Sequence, residues 1–527
     1  MISKIANLIS NQLVPAIGGG TLSNVEPATG QVYSTLPDSD ERDIAAAVDA
    51  AERAKERWGA TPAAERGAVL ERLAGLIERD LEALARAESV DTGKPVALAR
   101  RMDIPRSAAN FRFFAKLAAG RDWAAGEVYE TFEAAPAPTG GTAERLRSAV
   151  SDKDGAEQQD TAERTQPCHP GRSVAINRVL RQPVGVVGLI SPWNLPLYLL
   201  SWKIAPALAC GNTAVCKPSE MTPMTAFLLS KLAIEAGVPP GVLNIVHGTG
   251  ARAGSALVAH PRVKAISFTG GTTTGRAISA VAAPMFKKLS LELGGKNPTI
   301  VFGDVDVDDV AAQAVRAAFS NQGQICLCGS RLLVERSIYP AFLAKFVALT
   351  TALRQGDPLD ESTEQGALVS AAHLEKVRSY IDIGRSEGGK VECGGEPPAR
   401  GELPERCRGG YFLKPTVITG VGPICRVMQE EIFGPVVCVV PFADEREAVE
   451  IANSTAYGLS ASVWTRDEAR AQRVAERLES GTVWINCWLL RDLRVPFGGV
   501  KQSGVGREGG EEAMRFFTEA KTVCVKA

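Results

Sequence analysis

Val184-Gly-Val-Val-Gly-Leu-Ile190, Thr213-Ala-Val-Cys216, Val242-Leu-Asn-Ile-Val246, Ala265-Ile-Ser-Phe268 and Thr299-Ile-Val-Phe302 are five short, largely apolar runs. Stretches of helical periodicity lie between them: Ile204 to Cys210, Pro223 to Ala236, Arg252 to Ala259 and Thr274 to Ala282. Short continuous apolar strands separated by helices imply a parallel sheet covered on both faces. The chain is therefore expected to contain a doubly wound α/β domain, which binds ligands beyond the carboxyl ends of its strands.

Working outward, residues 40 to 92 are expected to be helical. Thr61-Pro62 reads as an N-cap with proline at the first helical position, followed by Val69, Leu73, Leu76, Ile77 and Leu84 at helical spacing. A further helix is expected from Pro105 to about Ala119. Between about Glu133 and Arg172, Pro, Gly, Gln, Asp and Ser dominate, and apolar periodicity is lost. That composition predicts a disordered insertion over 133–172, in which Cys168-His169 is only a fragment of a metal site. Val307 to Phe319 is expected to be helical and Leu332 to Val334 strand-like, on either side of the Cys326 loop. After Cys326 a second α/β pattern is expected, with helices near Pro340 to Leu353, Ala371 to Glu387 and Asp467 to Leu478, and strands near Val436 to Pro441 and Thr482 to Asn486. Val523 and Val525 alternate within Ala520 to Lys526, the pattern of an edge strand that could pair with another subunit.

With 527 residues the chain exceeds a single-core domain. Its 59 Lys+Arg against 60 Asp+Glu leave a net charge of −1, which gives no global field for nucleic acid or an anionic membrane. No run approaches the roughly 20 apolar residues of a membrane span, and the N-terminus matches neither a secretory nor a transit signal. Eleven cysteines do not make a dense disulfide framework, and Cys210, Cys216, Cys438 and Cys487 sit in apolar runs as small hydrophobes. A reducing, cytoplasmic setting is expected.

Several stretches carry chemistry. Cys326, in Asn321-Gln-Gly-Gln-Ile-Cys326, lies in a loop of small and amide residues between a helix and a strand, where a sulfur can meet a ligand. Glu292, between two leucines in Leu291-Glu-Leu-Gly-Gly-Lys296, has the apolar surroundings that raise a carboxyl toward the range of a general base. Asn194, in Pro192-Trp-Asn-Leu-Pro196, is an amide fixed by prolines and suited to donate toward an oxyanion. Two glycine patterns compete for a phosphate: Gly248-Thr-Gly250 and Phe268-Thr-Gly270-Gly271, the second opening a helix. Lys217-Pro-Ser219-Glu220 ends a strand, where a diol-binding carboxylate is expected, although Ser219 and Glu220 are also ordinary helix-start residues. There are four histidines, and neither His247 nor His373 has an evident third member for a thiol hydrolase.

Seven motifs in order carry a resemblance: those around Asn194, Lys217, Gly270, Glu292 and Cys326, together with Glu431-Ile-Phe433-Gly-Pro435 and Pro496-Phe497-Gly-Gly499. The chain resembles the NAD(P)-dependent aldehyde dehydrogenase superfamily from about Gly18 to Lys526, apart from the insertion. The resemblance implies an α/β aldehyde dehydrogenase-like fold: a Rossmann-type cofactor domain (1–128 and 182–293), a second α/β catalytic domain (294–497), and a small β oligomerisation extension (129–181 and 498–527) of a homodimer or homotetramer.

It further implies Cys326 as nucleophile, Glu292 as base, and Asn194 with the Cys326 N–H as oxyanion hole. NAD is the implied cofactor, held by Ile190, Ser191, Pro192, Trp193, Lys217, Ser219, Glu220, Gly270, Gly271, Leu293, Glu431 and Phe433, with no metal. Gly271 stands where the family more usually has serine, and Gly248 drops out as a decoy. Ile190 to Leu199 and Asn486 to Leu493 look most like the muconic semialdehyde branch, whose substrates carry a remote carboxylate. On that resemblance Arg106 and Arg491 bind the carboxylate, while Leu195, Tyr198 and Phe497 line the substrate channel. Other aldehydes (succinate semialdehyde, retinal-type, betaine aldehyde), a thiol hydrolase and a non-catalytic scaffold are the alternatives, and two arginines would repel the cationic betaine aldehyde. Cys328 has no matching family role.

Overall fold

The computed structural model describes residues 3–120, 127–132, 173–399 and 401–526. The expected insertion and Cys168-His169 lie outside the described residues. The chain divides into two compact units, Met1–Arg121 with Pro183–Glu519, and Asp122–Gln182 with Ala520–Ala527.

The first unit contains two large sheets. One is built from β1 (Asn7–Ile9), β2 (Gln12–Val14), β3 (Val186–Ile190), β4 (Thr213–Lys217), β5 (Leu243–Ile245), β6 (Ala265–Thr269) and β7 (Lys288–Glu292), with a short Gly504–Val505 strand on the β7 edge. Their spatial order is Gly504–Val505, β7, β6, β3, β4, β5, β1, β2. The strands from β7 to β5 run parallel, and the flanking pairs run antiparallel. Every residue of β3, β4, β5 and β6 is buried, which is why these strands read as unbroken apolar runs instead of alternating ones.

The second sheet comprises β8 (Pro298–Val301), β9 (Arg331–Glu335), β10 (Lys390–Cys393), β11 (Thr416–Thr419), β12 (Val436–Phe442), β13 (Ser460–Trp464) and β14 (Thr482–Ile485), in the order β10, β11, β12, β9, β8, β13, β14. Only β10 pairs antiparallel. The helix Val307–Phe319 crosses from β8 to β9. Its N-cap Asp306 accepts from the N–H groups of Asp308 and Asp309, and its buried face is Val310, Ala311, Ala314, Val315 and Ala318.

Sequence expectations and observed elements differ at informative places. Thr61 does not open the second helix, which runs Ala63–Arg79. It closes the one before, Glu41–Ala60, and its hydroxyl donates to the Arg57 carbonyl at 2.9 Å. The helix expected from Ile204 begins at Pro196, because proline at the first helical position has no N–H to leave unpaired. The helix expected from Pro105 runs Ile104–Gly120.

The second unit has one three-stranded sheet, with Thr518–Lys526 outermost, then Ser173–Pro183, then Glu127–Phe132. The C-terminal strand is thus an edge. Among the described residues no helix is long and apolar enough to cross a membrane.

Candidate active site

Strand register brings the chemistry-bearing residues into one row. Ile190 pairs with Lys217 and with Phe268, and Thr269 pairs with Glu292. The loops leaving β3, β4, β6 and β7 therefore begin side by side at one edge of the sheet. They carry Ser191 to Asn194, Ser219 to Glu220, Gly270 to Gly271, and Leu293 to Gly294. The helix Thr272–Ala282 starts directly after Gly271, which presents its N-terminal N–H groups at that edge.

Two adjoining cavities lie there. The larger, ≈ 460 Å³, is lined by Ile190, Ser191, Lys217, Ser219, Glu220 and residues of the Thr272–Ala282 helix; Pro192, Trp193, Thr269, Gly270 and Gly271 are shared with a second cavity of ≈ 230 Å³. Cys326 lines the second, with Asn194, Leu199, Leu293, Gly294, Glu431, Phe433, His373 and Lys376. Lys217 Nζ donates to Glu220 at 2.6 Å, and the Gly250 N–H approaches the other Glu220 oxygen at 3.4 Å. Burial raises the Glu220 pKa, but Lys217 and the backbone N–H bonds outweigh it and hold the carboxyl below its ordinary value, so it is ionised at neutral pH. Gly250 spends its N–H on that carboxylate, while Ser219 Oγ accepts from Met221 N at 3.3 Å as a local turn. The buried hydroxyls of Ser191 and Thr269, both from cavity-lining residues, have no hydrogen-bond partner among the described residues. A ligand with several oxygens fits such a lining.

Cys326 is held from two directions. Asn297 Nδ2 donates to the carbonyls of Cys326 at 2.6 Å and Cys328 at 2.9 Å. From the other side, Asn194 Nδ2 donates to Gln324 O at 2.9 Å, and Asn321 Nδ2 returns a bond to Asn194 O at 3.2 Å. One N–H of the Asn194 amide is used by Gln324, which leaves the second for a ligand. The approach to Cys326 is tightly wound. Asn321 and Gln322 both have positive φ (53° and 55°), as does Gly323, where a side chain would collide with the Gly434 carbonyl. Two non-glycine residues in the left-handed region cost of order 1 kcal/mol each or more, and the surrounding hydrogen bonds hold them.

Burial pushes the Cys326 thiol up, with Glu292, Glu431 and Cys328 acting in the same direction and Arg491 against them. Glu292 is also pushed well above the usual carboxyl range, first by burial and then by Glu508, against Lys203, Arg491 and Arg507. One of its oxygens has no partner, and it lies against Gly498, where a Cβ would come within 2.7 Å. Glu292 lines neither cavity; it stands behind them at the end of β7. Glu431 accepts from Gly295 N at 2.8 Å, and a side chain at Gly294 would overlap its carboxylate. Phe433, itself at φ 61°, packs edge-on to Trp193 with ring centroids 5.2 Å apart.

The expected substrate residues form a separate cluster. Leu195, Tyr198 and Phe497 are buried with Ile325, Leu327, Trp484 and Trp488, and Cys326 and Leu199 pack against them. Arg491 Nη1 donates to the Tyr198 hydroxyl at 3.0 Å, and the Arg106 guanidinium lies 6.0 Å from the Tyr198 ring centroid. Among the described residues neither Arg106 nor Arg491 is in an ion pair with a carboxylate.

Comparison with known proteins places this geometry. The model of the aldehyde dehydrogenase family matches residues 14–523. The chain belongs to the aldehyde dehydrogenase family. It is 50% identical over 522 residues to a 2-aminomuconic semialdehyde dehydrogenase of Danio rerio, covering 99% of this chain and 98% of that protein. It is 44% identical over 527 residues to a 2-hydroxymuconic semialdehyde dehydrogenase of Pseudomonas sp. (strain CF600), covering 100% of both. The crystal structure of PnpE from Pseudomonas sp. WBC-3 superposes with a TM-score of 0.88 at 41% identity, covering 100% of this chain and 98% of that one. PnpE has also been solved in complex with nicotinamide adenine dinucleotide. This aldehyde dehydrogenase is accordingly an oxidoreductase with the family's mixed α/β architecture and parallel-strand sheets.

Sequence reasoning overlooked Lys376, Lys203 and Glu508, and set His373 aside as lacking a third member for a hydrolase. His373 and Lys376 line the Cys326 cavity from the helix Ala371–Ser386; His373 Nε2 is 2.7 Å from the Phe433 carbonyl. Burial pushes His373 down to about 4, so it is neutral at physiological pH. Lys203 and Glu508 form a buried pair at 2.7 Å behind Glu292. A lysine about midway along the apolar helix Pro196–Ala209 was the available signal for the first, since such a residue is rarely buried without a partner.

Proposed function

We propose that this aldehyde dehydrogenase oxidises a semialdehyde bearing a remote carboxylate, such as 2-aminomuconate 6-semialdehyde or 2-hydroxymuconate semialdehyde, to the corresponding acid, with NAD as acceptor. The observation that carries the substrate class is the convergence of Arg106 and Arg491 on Tyr198, beside the apolar cluster of Cys326, with neither guanidinium in an ion pair among the described residues. Two unpaired guanidinium groups at the side of an apolar channel are costly unless an anion completes them. The names of the two relatives agree with this class.

Cys326 attacks the aldehyde carbon. The oxygen of the resulting thiohemiacetal is held by the second N–H of Asn194 and the Cys326 backbone N–H, donors fixed in advance by the Gln324 and Asn297 bonds. What a bound nicotinamide supplies is a hydride acceptor. Cys326 then carries the acyl group as a thioester until Glu292, in its carboxylate form, takes a proton from water and the acid leaves. Lys217 and Glu220 would hold the adenosine ribose, Gly270 and Gly271 the pyrophosphate at the helix N-terminus, and Glu431 with Phe433 the nicotinamide ribose. An ionised Glu220 opposes a 2′-phosphate, which favours NAD over NADP.

The outermost position of Thr518–Lys526 supports pairing with a second copy in a homodimer or homotetramer, with 129–181 and 498–527 as the bridging region. Residues 1–128 with 182–293 then serve the cofactor, and 294–497 catalysis. Ten described cysteines are free thiols, in keeping with a reducing cytoplasmic setting.

The test is NADH formation from a panel of aldehydes. Cys326→Ala should abolish it. Arg491→Ala should raise KM for carboxylated semialdehydes far more than for neutral aldehydes, and equal effects would sink the carboxylate clamp.

A further inference from the structure

We propose that Tyr198 is a positioning residue for Arg491, holding its guanidinium where a single positive charge serves both the remote carboxylate of the substrate and the sulfur of Cys326. The proposal rests on the carboxylated-aldehyde assignment above.

The geometry around Arg491 is a cage. Its Nη1 donates to the Tyr198 hydroxyl at 3.0 Å, and its Cζ lies 3.8 Å from the Phe497 ring centroid and 5.4 Å from that of Trp202. Tyr198 and Trp202 are one helical turn apart on Pro196–Ala209, and Phe497 comes from a separate loop, so two elements fix one flexible side chain. The Tyr198 backbone is itself anchored, with its carbonyl accepting from Asn110 Nδ2 at 3.3 Å and Ser201 Oγ at 2.8 Å.

The choice of a phenol matters. An aspartate or glutamate would orient the guanidinium equally well but would cancel its charge and compete with an incoming carboxylate. A neutral hydroxyl acceptor orients it and leaves the charge for the ligand. The aromatic faces act likewise, attracting the cation without supplying a formal counter-charge.

That charge also reaches the reacting groups. Phe497 and Cys326 belong to the same apolar cluster, and Gly498, the next residue, abuts the unpartnered oxygen of Glu292. Around Cys326, Glu292, Glu431 and Cys328 oppose a thiolate, and Arg491 favours it. Around Glu292, Glu508 opposes ionisation, while Lys203, Arg491 and Arg507 favour it. A carboxylate seated on Arg491 removes part of that support from both. The Cys326 thiol is therefore more acidic in the free protein than with an anion in the clamp.

Two readouts test this on the full chain: steady-state kinetics, and the pH midpoint of Cys326 alkylation by iodoacetamide, followed by mass spectrometry of its peptide. Tyr198→Phe keeps the ring and removes the hydroxyl. It should raise KM for a carboxylated semialdehyde about 10- to 100-fold, the size of one lost hydrogen bond to a charged group, and raise it several-fold more than the KM of a neutral aldehyde. In an Arg491→Ala background the same substitution should cost nothing more, because Tyr198 acts through Arg491. Adipate, a dicarboxylate without an aldehyde, should move the alkylation midpoint of the native protein upward and leave that of Arg491→Ala unmoved; Arg491→Met repeats the comparison with the stem retained. A Tyr198→Phe penalty that persists in full without Arg491, or an adipate-insensitive midpoint in the native protein, overturns the proposal. A silent Tyr198→Phe beside a substrate-selective Arg491→Ala overturns the positioning alone. An unselective Arg491→Ala overturns the clamp with it.

Discussion

Replacing Asn194 by alanine separates its two duties, because their costs differ about three- to four-fold in free energy. Structurally the substitution removes the 2.9 Å bond to the Gln324 carbonyl, but that carbonyl keeps a second donor, Asn321 Nδ2 at 3.2 Å. The loss is therefore one of two bonds to an acceptor, about 1 kcal/mol, or about 2 °C or less in Tm for a chain of this size. On the oxyanion role proposed for Asn194, the substitution also removes a catalytic donor, which costs about 2.7–4 kcal/mol, or about 10²–10³ in kcat. The assay is kcat from NADH absorbance beside Tm from a thermal melt, with the Cys326 alkylation rate as a check that the thiol loop is intact. The expected result is a kcat lowered at least a hundred-fold with Tm and alkylation nearly unchanged. A loss below ten-fold with an intact loop would refute the oxyanion role and leave Asn194 as a structural tie.

Three further outcomes follow from the geometry. Glu292 must be ionised to take a proton from water, and its carboxyl is raised by burial and Glu508, so kcat should climb as pH rises through that raised value; Glu292→Gln should flatten the acidic limb, and an unchanged profile would exclude it as the titrating base. Gly294→Ala drives a methyl into the Glu431 carboxylate, so KM for NAD should rise at least several-fold while Cys326 alkylation stays native; unaltered NAD affinity would mean that Glu431 does not hold the cofactor. Glu220→Gln removes the negative charge facing the ribose, and the ratio of NAD to NADP kcat/KM should fall by roughly ten-fold, with an unmoved ratio counting against this carboxylate as the discriminator.

The parallel sheets were legible because their strands are buried on both faces and cannot hide in an alternating pattern. Boundaries shifted where a side chain serves its neighbour, as Thr61 does in closing Glu41–Ala60. Cys326, Glu292 and Asn194 stood out by their motifs, but what holds them did not. The bonds that fix Cys326 come from Asn297, 29 residues away, and those that tie Asn194 come from 130 residues away. The Lys203–Glu508 pair spans 305 residues, so neither partner announces the other in a one-dimensional pattern. Arg491 was named only through the family resemblance. That its nearest acceptor is a phenol and not a carboxylate is a fact of side-chain placement, which local sequence does not encode.

The five residues Leu293–Asn297 join β7 to β8. The same short strap begins where Glu292 ends its strand and finishes with the amide that grips the Cys326 and Cys328 carbonyls. It thus ties the two halves of the chemistry to one segment of backbone, so a change that lengthens or loosens Leu293–Asn297 disturbs the Glu292 carboxyl and the Cys326 loop at once.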